Sequence, residues 1–233
     1  MESHRIADQY TIVPAQTPPL DVAAYEAALL FDFQDHYARG RDVWTDERAM
    51  RETPLCLLGA LGATPDAHVL DIGTGRGLDA EILLDRGHRV TGIDLVASPE
   101  WGAITARRPG RARFLTASAT ELTGVAEYDA VLDNGCLHHQ HPDSYPGYLD
   151  RIHALLRPGG LFTVSVFRSA TDAGRLYVNG GSRLYREFTA GELTGLVTER
   201  GFETVDLRPV PRGTAGLEYL VGTFRATAPG DAR

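Results

Sequence analysis

The stretch "VLDIGTGRG", Val69 to Gly77, decides how this chain folds. A short apolar run ends in Asp71, and Gly73, Gly75 and Gly77 follow at alternate positions. Glycines let backbone approach a ligand where a side chain would intrude. A glycine turn after a strand is the ligand-facing element of an open α/β sheet, whose sites lie at the carboxyl ends of strands. The dinucleotide pattern GxGxxG needs a third glycine at position 78, which is Leu78, and no GK[ST] follows to make a phosphate loop. Asp94 ends the next strand 21 residues after Gly73, where a carboxylate accepts both hydroxyls of a ribose. Asp71 disfavours a nearby phosphate and suits an ammonium. The ligand expected here carries a ribose and a cationic group and needs no phosphate.

Outward from this turn, apolar strands alternate with helical stretches. The strands read "HVLDIG", "RVTGIDL", "RFLTA", "YDAVLDNG" and "GLFTVSVF". Helices are expected over "LDAEILLDRG", Pro99–Arg108 and "YPGYLDRIHALLRPGG", with a short turn near Glu121 and "RPGG" as a sharp stop. Strands apolar throughout and separated by helices predict a parallel sheet covered on both faces. "TAGELTGLVTERG" reads as a helix capped by Thr189 and stopped by Gly201. "ETVDLRPV" and "EYLVGTFRA" follow as an antiparallel pair, and "RSATDAGRLYVNGGSRLYRE" before them reads as a long polar loop of the functional kind. Upstream, residues 1–20 read as an extended arm. A helix capped by Asp21 and stopped by Gly40 comes next, then a second over Asp46–Leu61. The domain expectation is an arm and helical cap over 1–62 and a ligand-binding domain over 63–228.

The chain has 233 residues, 43% of them hydrophobic, enough for one good core. Its net charge of −8 argues against a nucleic-acid surface, which needs cationic groups to displace counterions. All 23 basic side chains are Arg. Cys56 and Cys136 form no CxxC pair, so neither a disulfide framework nor a structural zinc is expected, and no run reaches membrane-spanning length. A cytoplasmic protein, monomeric or homodimeric, is the expectation.

These elements together resemble a class I S-adenosylmethionine (SAM)-dependent methyltransferase over roughly residues 40–226. The resemblance rests on "VLDIGTGRG", on "GIDL" with its ribose acid, on "ASATEL" as an adenine loop, on "YDAVLDNGCLHH" and "LLRPGGLFTVSVF", and on the closing hairpin. It implies a doubly wound, seven-stranded, mostly parallel sheet with a C-terminal antiparallel hairpin and an N-terminal helical cap. It also implies SAM as cofactor and a small-molecule acceptor, with secondary metabolism as the expected setting. "YARGRDVW" followed by "GLDAEILLDRGHRVTGIDL" is similar to the thiopurine and thiol methyltransferase-like branch. "LHH" is shared with ubiquinone-biosynthesis-type and antibiotic-tailoring enzymes. On this resemblance SAM meets Trp44, Asp71, Gly73, Thr74, Gly75, Gly77, Asp94, Leu95, Ser118, Ala119, Thr120 and Asn134. Ser118 stands where relatives often carry an acid, which leaves much of the adenine recognition to the Ala119 and Thr120 backbone.

Methyl transfer is an in-line displacement, so alignment matters most. A nucleophile that must lose a proton also needs a base. The candidates lie in "CLHHQHPD": His138, His139 and His141, with His139 favoured by family position. The same cluster with Asp143 admits a metal-ligand reading, but close spacing in one loop poorly preorganises a tetrahedral site, so no metal is expected. Tyr37, Trp44, Cys136, His139, Arg168, Tyr177 and Tyr185 are the candidate acceptor contacts, with Phe33 and Arg183 as further lining. Asp35 and His36 are expected at the surface. The alternative is a SAM-binding protein of the same fold without methyl transfer, a binding module or a catalyst of rearrangement or cyclisation. A short-chain NAD(P) oxidoreductase is disfavoured by Leu78 and by the lack of any Tyr-x-x-x-Lys pair.

Overall fold

A computed structural model describes residues 4–7, 10–42, 44–45, 47–213 and 216–228. Five parallel strands form its centre: β3 (His68–Ile72), β4 (Arg89–Asp94), β5 (Ala112–Thr116), β6 (Tyr128–Asn134) and β7 (Leu156–Arg168). They lie in the order β5-β4-β3-β6-β7. The hairpin of β10 (Phe202–Pro211) and β11 (Glu218–Ala226) adds to β7 through β11, antiparallel, completing the seven-stranded unit. The winding reverses between β3 and β6, which opens a crevice above their carboxyl ends.

Burial on both faces explains the apolar strands. Val69 and Leu70 of β3 and Val131 and Leu132 of β6 are completely buried. One face packs against α5 (Tyr145–Leu155) and α6 (Ala190–Thr198), and the other against α2 (Glu52–Leu61), α3 (Leu78–Asp85) and α4 (Glu100–Arg107). Thr189 caps α6 as expected, in a reciprocal box with Glu192. Helix α5 does stop just before "RPGG", at Leu155, but no turn separates it from the next strand. Strand β7 already starts at Leu156 and takes these residues in as a register irregularity against β6.

The larger difference lies at the other sheet edge. The stretch read as a loop contains β8 (Leu176–Asn179) and β9 (Leu184–Phe188), and the arm contains β1 (His4–Ala7) and β2 (Tyr10–Ala15). Antiparallel pairings join β1 to β2, β2 to β8 and β8 to β9, while β9 runs parallel to the end of β7. The overlooked signal is "NGGS" between "LYV" and "RLYREF", a hairpin turn flanked by β-formers. Helix α1 (Val22–Ala38), capped by Asp21, packs through Tyr25 and Leu29 against Leu176 and Leu184 of this extension. A 3₁₀ turn, Arg48–Arg51, leads into α2, so the second helix begins later than expected; Asp46 lies outside the described residues. Among the described residues no helix is long and apolar enough to cross a membrane.

Helix α2 packs as part of the core, with Leu57 wholly buried beside Val69 and Leu132. Leu57→Ala should therefore cost about 2–5 kcal/mol. Urea unfolding should show a lower midpoint with an unchanged slope.

Candidate active site

A cavity of about 720 Å³ runs across the carboxyl ends of β3, β4 and β6 and under α1. That is a normal size for a small-molecule site. At one end the glycine turn wraps Asp94. The Gly75 amide donates to Asp94 Oδ2 (2.9 Å) and the Val96 amide to Oδ1 (3.0 Å). Each carboxylate oxygen keeps acceptor capacity for a hydroxyl. Burial raises the pKa of this group, and the backbone donors oppose the rise. Trp101, stacked on Phe114, donates its indole N–H to the Gly75 carbonyl (2.8 Å) and so holds the turn from outside.

Gly73 has φ +69°, and a Cβ there would fall 2.1 Å from Cys136 Sγ. Its lack of a side chain lets the glycine turn and the turn after β6 share the same space. Gly77 also has a left-handed φ, +87°, and a Cβ there would meet Ile104 at 2.6 Å. Asp71 is buried beneath the turn and accepts from Thr74 Oγ1 (2.5 Å). It does not line the cavity, whereas Thr74 does. Burial and the facing Asp79 carboxylate raise its pKa well above the usual range. Asn134 donates through Nδ2 to Met50 O and Asp79, while its buried Oδ1 has no hydrogen-bond partner. Arg51, ion-paired with Asp79, lines the same corner.

These residues fit SAM. Asp94 suits the ribose, the glycine turn leaves room for the chain, and the unmatched Asn134 Oδ1 and the Arg51 guanidinium suit an ammonium and a carboxylate. Leu95, Ser118, Ala119 and Thr120 line the adenine end. Ser118 is already engaged: its hydroxyl caps a 3₁₀ turn at Thr120, and its amide donates to Glu121 (2.7 Å). That favours a structural role for this hydroxyl over a direct contact with adenine.

Beyond Cys136 the cavity becomes aromatic. Trp44 stands edge-on to Phe33 and Tyr37, each with ring centres 5.6 Å away. The Tyr37 hydroxyl sits over Gly75, closer to the cofactor end than to the acceptor end. His139 meets Phe33, Phe167 and Tyr185 edge to face. Its Nδ1–H donates to Leu184 O (2.6 Å), which leaves Nε2 as the bare acceptor. Burial, helped by the Arg183 charge, holds its pKa down at about 3. His138 stacks on Phe167, and burial holds its pKa well below the usual imidazole range. The Cys136 thiol is pushed up by burial and by Asp133, Asp94 and Asp71, so it remains protonated and a poor nucleophile.

Some expected contacts are not brought together. Arg168 is exposed and paired with Glu218, and Tyr177 is buried among Ile12, Phe167 and Tyr185; neither lines the cavity. His36, expected at the surface, is buried because its Nδ1 meets Asp32 O (2.6 Å) under α1. Asp35 is partly buried beside Arg39. His141 turns away to Leu20 O. Among the described residues no three His, Cys, Asp or Glu side chains gather as a metal site. Sequence reading missed Arg212, Glu47, Phe167, Tyr219 and Asp32. Only Asp32 left a local signal, the i, i+4 spacing to His36 on α1.

A family model described as a methyltransferase domain matches residues 43–207. The chain belongs to that family. It is 51% identical to the Burkholderia thailandensis 1,6-didemethyltoxoflavin-N1-methyltransferase, whose crystal structure holds 1,6-didemethyltoxoflavin and S-adenosylhomocysteine. The match covers 98% of this chain and 100% of that one, with a TM-score of 0.93. A probable fatty acid methyltransferase of Mycobacterium tuberculosis is 28% identical over 75% of this chain and 39% of its own length. Demethylmenaquinone methyltransferase of Tropheryma whipplei is 30% identical over 59% of this chain and 56% of its own length. The chain thus spans less than two thirds of these two curated relatives.

Two outcomes follow for this methyltransferase fold. Gly73→Ala should abolish SAM binding measured by calorimetry, through the clash with Cys136. Adding Cys136→Ala opens the space and should restore binding, apart from about 1 kcal/mol of left-handed backbone cost. For the histidines, the folded pKa lies below the unfolded value of about 6.5. Their contribution is therefore full above that pH and is lost as pH falls below it, down to about pH 3 for His139, at up to about 1.4 kcal/mol per pH unit each. His139→Gln should flatten the fall in unfolding free energy between about pH 7 and 5.

Proposed function

We propose that this chain transfers a methyl group from SAM to a ring nitrogen of a small, flat heterocycle of the 1,6-didemethyltoxoflavin kind. What carries the reading is the 51% identity over essentially the whole chain to an enzyme with that acceptor and S-adenosylhomocysteine bound. The walls support it, since Phe33, Trp44, Phe167, Tyr185 and Tyr219 offer ring faces and edges around the space beyond Cys136.

SAM, when bound, supplies a methyl carbon already activated on a sulfonium. The chain then has to hold the acceptor nitrogen in line with it, an effect worth about 7–11 kcal/mol at best. In this reading Asp94 and the glycine turn fix the donor, and Cys136 packs at the boundary between the two ligands. His139 offers Nε2 as a hydrogen-bond acceptor to the heterocycle, in the one tautomer that Leu184 O allows. At a pKa of about 3 it is a weak base, so its part is to orient more than to deprotonate. Two free thiols suit a reducing, cytoplasmic setting.

Purified protein given SAM and 1,6-didemethyltoxoflavin should yield S-adenosylhomocysteine and singly N-methylated product by mass spectrometry. Asp94→Ala should weaken SAM binding by about 10–100-fold, the worth of lost charge-assisted hydrogen bonds. Tight SAM binding with no S-adenosylhomocysteine formed would instead support the non-transferring alternative.

A further inference from the structure

The aromatic walls of the acceptor end can hold a flat ligand, but rings alone do not fix which of its edges meets the methyl group. The cations at this end are already answered by protein groups. Arg183 pairs with Asp32 (3.2 Å) and donates through Nε to the Tyr185 hydroxyl (2.8 Å), and Arg212 pairs with Glu47 (3.5 Å). His139 is placed differently. Its ring lines the cavity, and its Nδ1–H is spent on Leu184 O (2.6 Å). Among the described residues its Nε2 has no protein partner.

Two features make Nε2 a fixed acceptor. The first is packing: Phe33, Phe167 and Tyr185 stand edge to face against the imidazole, with ring centres 5.9, 6.0 and 4.8 Å away, and these contacts set its plane. The second is charge. The titratable groups around the ring are His138, Tyr185 and Arg183, with Asp32 behind Arg183. Burial and the Arg183 guanidinium keep the imidazole neutral. A neutral imidazole whose Nδ1 carries the proton can only accept at Nε2.

We infer that His139 sets the regiochemistry: the heterocycle presents a ring N–H to Nε2, and the nitrogen that is methylated is a different one on the same ring system. The inference rests on the proposed ring-nitrogen acceptor and says what orients it. A ring N–H points outward in the plane of the ring. One such bond therefore fixes the rotation of a flat ligand within its slot, and with it the nitrogen that faces the sulfonium. A methyl group at the edge facing His139 removes the donor and leaves Nε2 enclosed without a partner, which is costly. A site built around one hydrogen bond rejects a ligand lacking the matching group more strongly than an apolar pocket rejects a methyl. A heterocycle already methylated at that edge is thus turned away, while the free N–H form is taken.

The test uses the full chain saturated with S-adenosylhomocysteine and four flat bicyclic probes. Lumazine has ring N–H groups at two edges, its 1-methyl and 3-methyl derivatives keep one each, and 1,3-dimethyllumazine has none. Calorimetric titration below lumazine's own ionisation should show one monomethyl isomer and the dimethyl probe binding about tenfold or more weaker than lumazine. The other monomethyl isomer should stay within about threefold of lumazine. His139→Asn keeps a donor for Leu184 O but offers no acceptor in place of Nε2. It should weaken lumazine and the tolerated isomer by about tenfold and leave the other two unchanged, so that the four converge. The inference is overturned if the four probes bind alike to the unaltered chain, if lumazine does not bind, or if His139→Asn weakens all four by one factor. Convergence through tighter binding of the methylated probes also overturns it, since that marks a steric stop. Absence of methyl transfer to 1,6-didemethyltoxoflavin with the probe pattern intact overturns only the proposed acceptor.

Discussion

The Tyr25 hydroxyl is the point on which the acceptor half of the molecule turns. It donates to His139 O (2.5 Å) and accepts from the Leu184 amide (3.1 Å), while His139 Nδ1 reaches Leu184 O. Helix α1, the turn after β6 and strand β9 therefore meet in one closed set of hydrogen bonds. Tyr25 is completely buried, and burial pushes its phenol pKa upward, so it stays a neutral donor. The turn itself hangs from Asp133, which accepts from the Cys136 and Leu137 amides and from Tyr148.

The two halves of the cavity differ in what holds them. The cofactor half is backbone: amides fix Asp94, and glycines permit the close passage of Cys136 over the turn. The acceptor half is side chain: rings, two guanidiniums and their counter-ions, drawn from α1, β7, β9 and the stretch around Arg212. Backbone geometry tolerates little variation, whereas a side-chain wall changes with each substitution. That fits a fold that keeps one donor and diversifies its acceptors.

This division also governs what the sequence discloses. The parallel strands were legible because burial on both faces forces them to be apolar throughout, and Gly73, Gly75 and Asp94 announce themselves by spacing. The closing hairpin and the Thr189 cap followed from equally local rules. Strands β8 and β9 escaped notice because each is only four or five residues long, inside a stretch taken whole as a loop, although their β-formers flank a hairpin turn. Arg212 is distant in sequence from every motif and Glu47, just after Trp44, belongs to none, so only the fold brings them together at the cavity. His36 misled because a polar residue on a helix normally faces water, and here the Asp32 carbonyl satisfies it while Trp44 packs beside its ring.

The added sheet edge has a consequence in time. Strand β2 pairs with β8, so Ile12 lies opposite Asn179 across most of the chain's length. Contacts of such separation close large loops and form late. The glycine turn, Asp94 and the β3–β4 pair, by contrast, need only neighbours close in sequence. As the chain leaves the ribosome, the donor crevice can order while the acceptor wall has no partner strand to lean on. The β9 wall, with Tyr185 on it and Arg183 just before it, is thus backed, through β8, by a strand from the opposite end of the sequence.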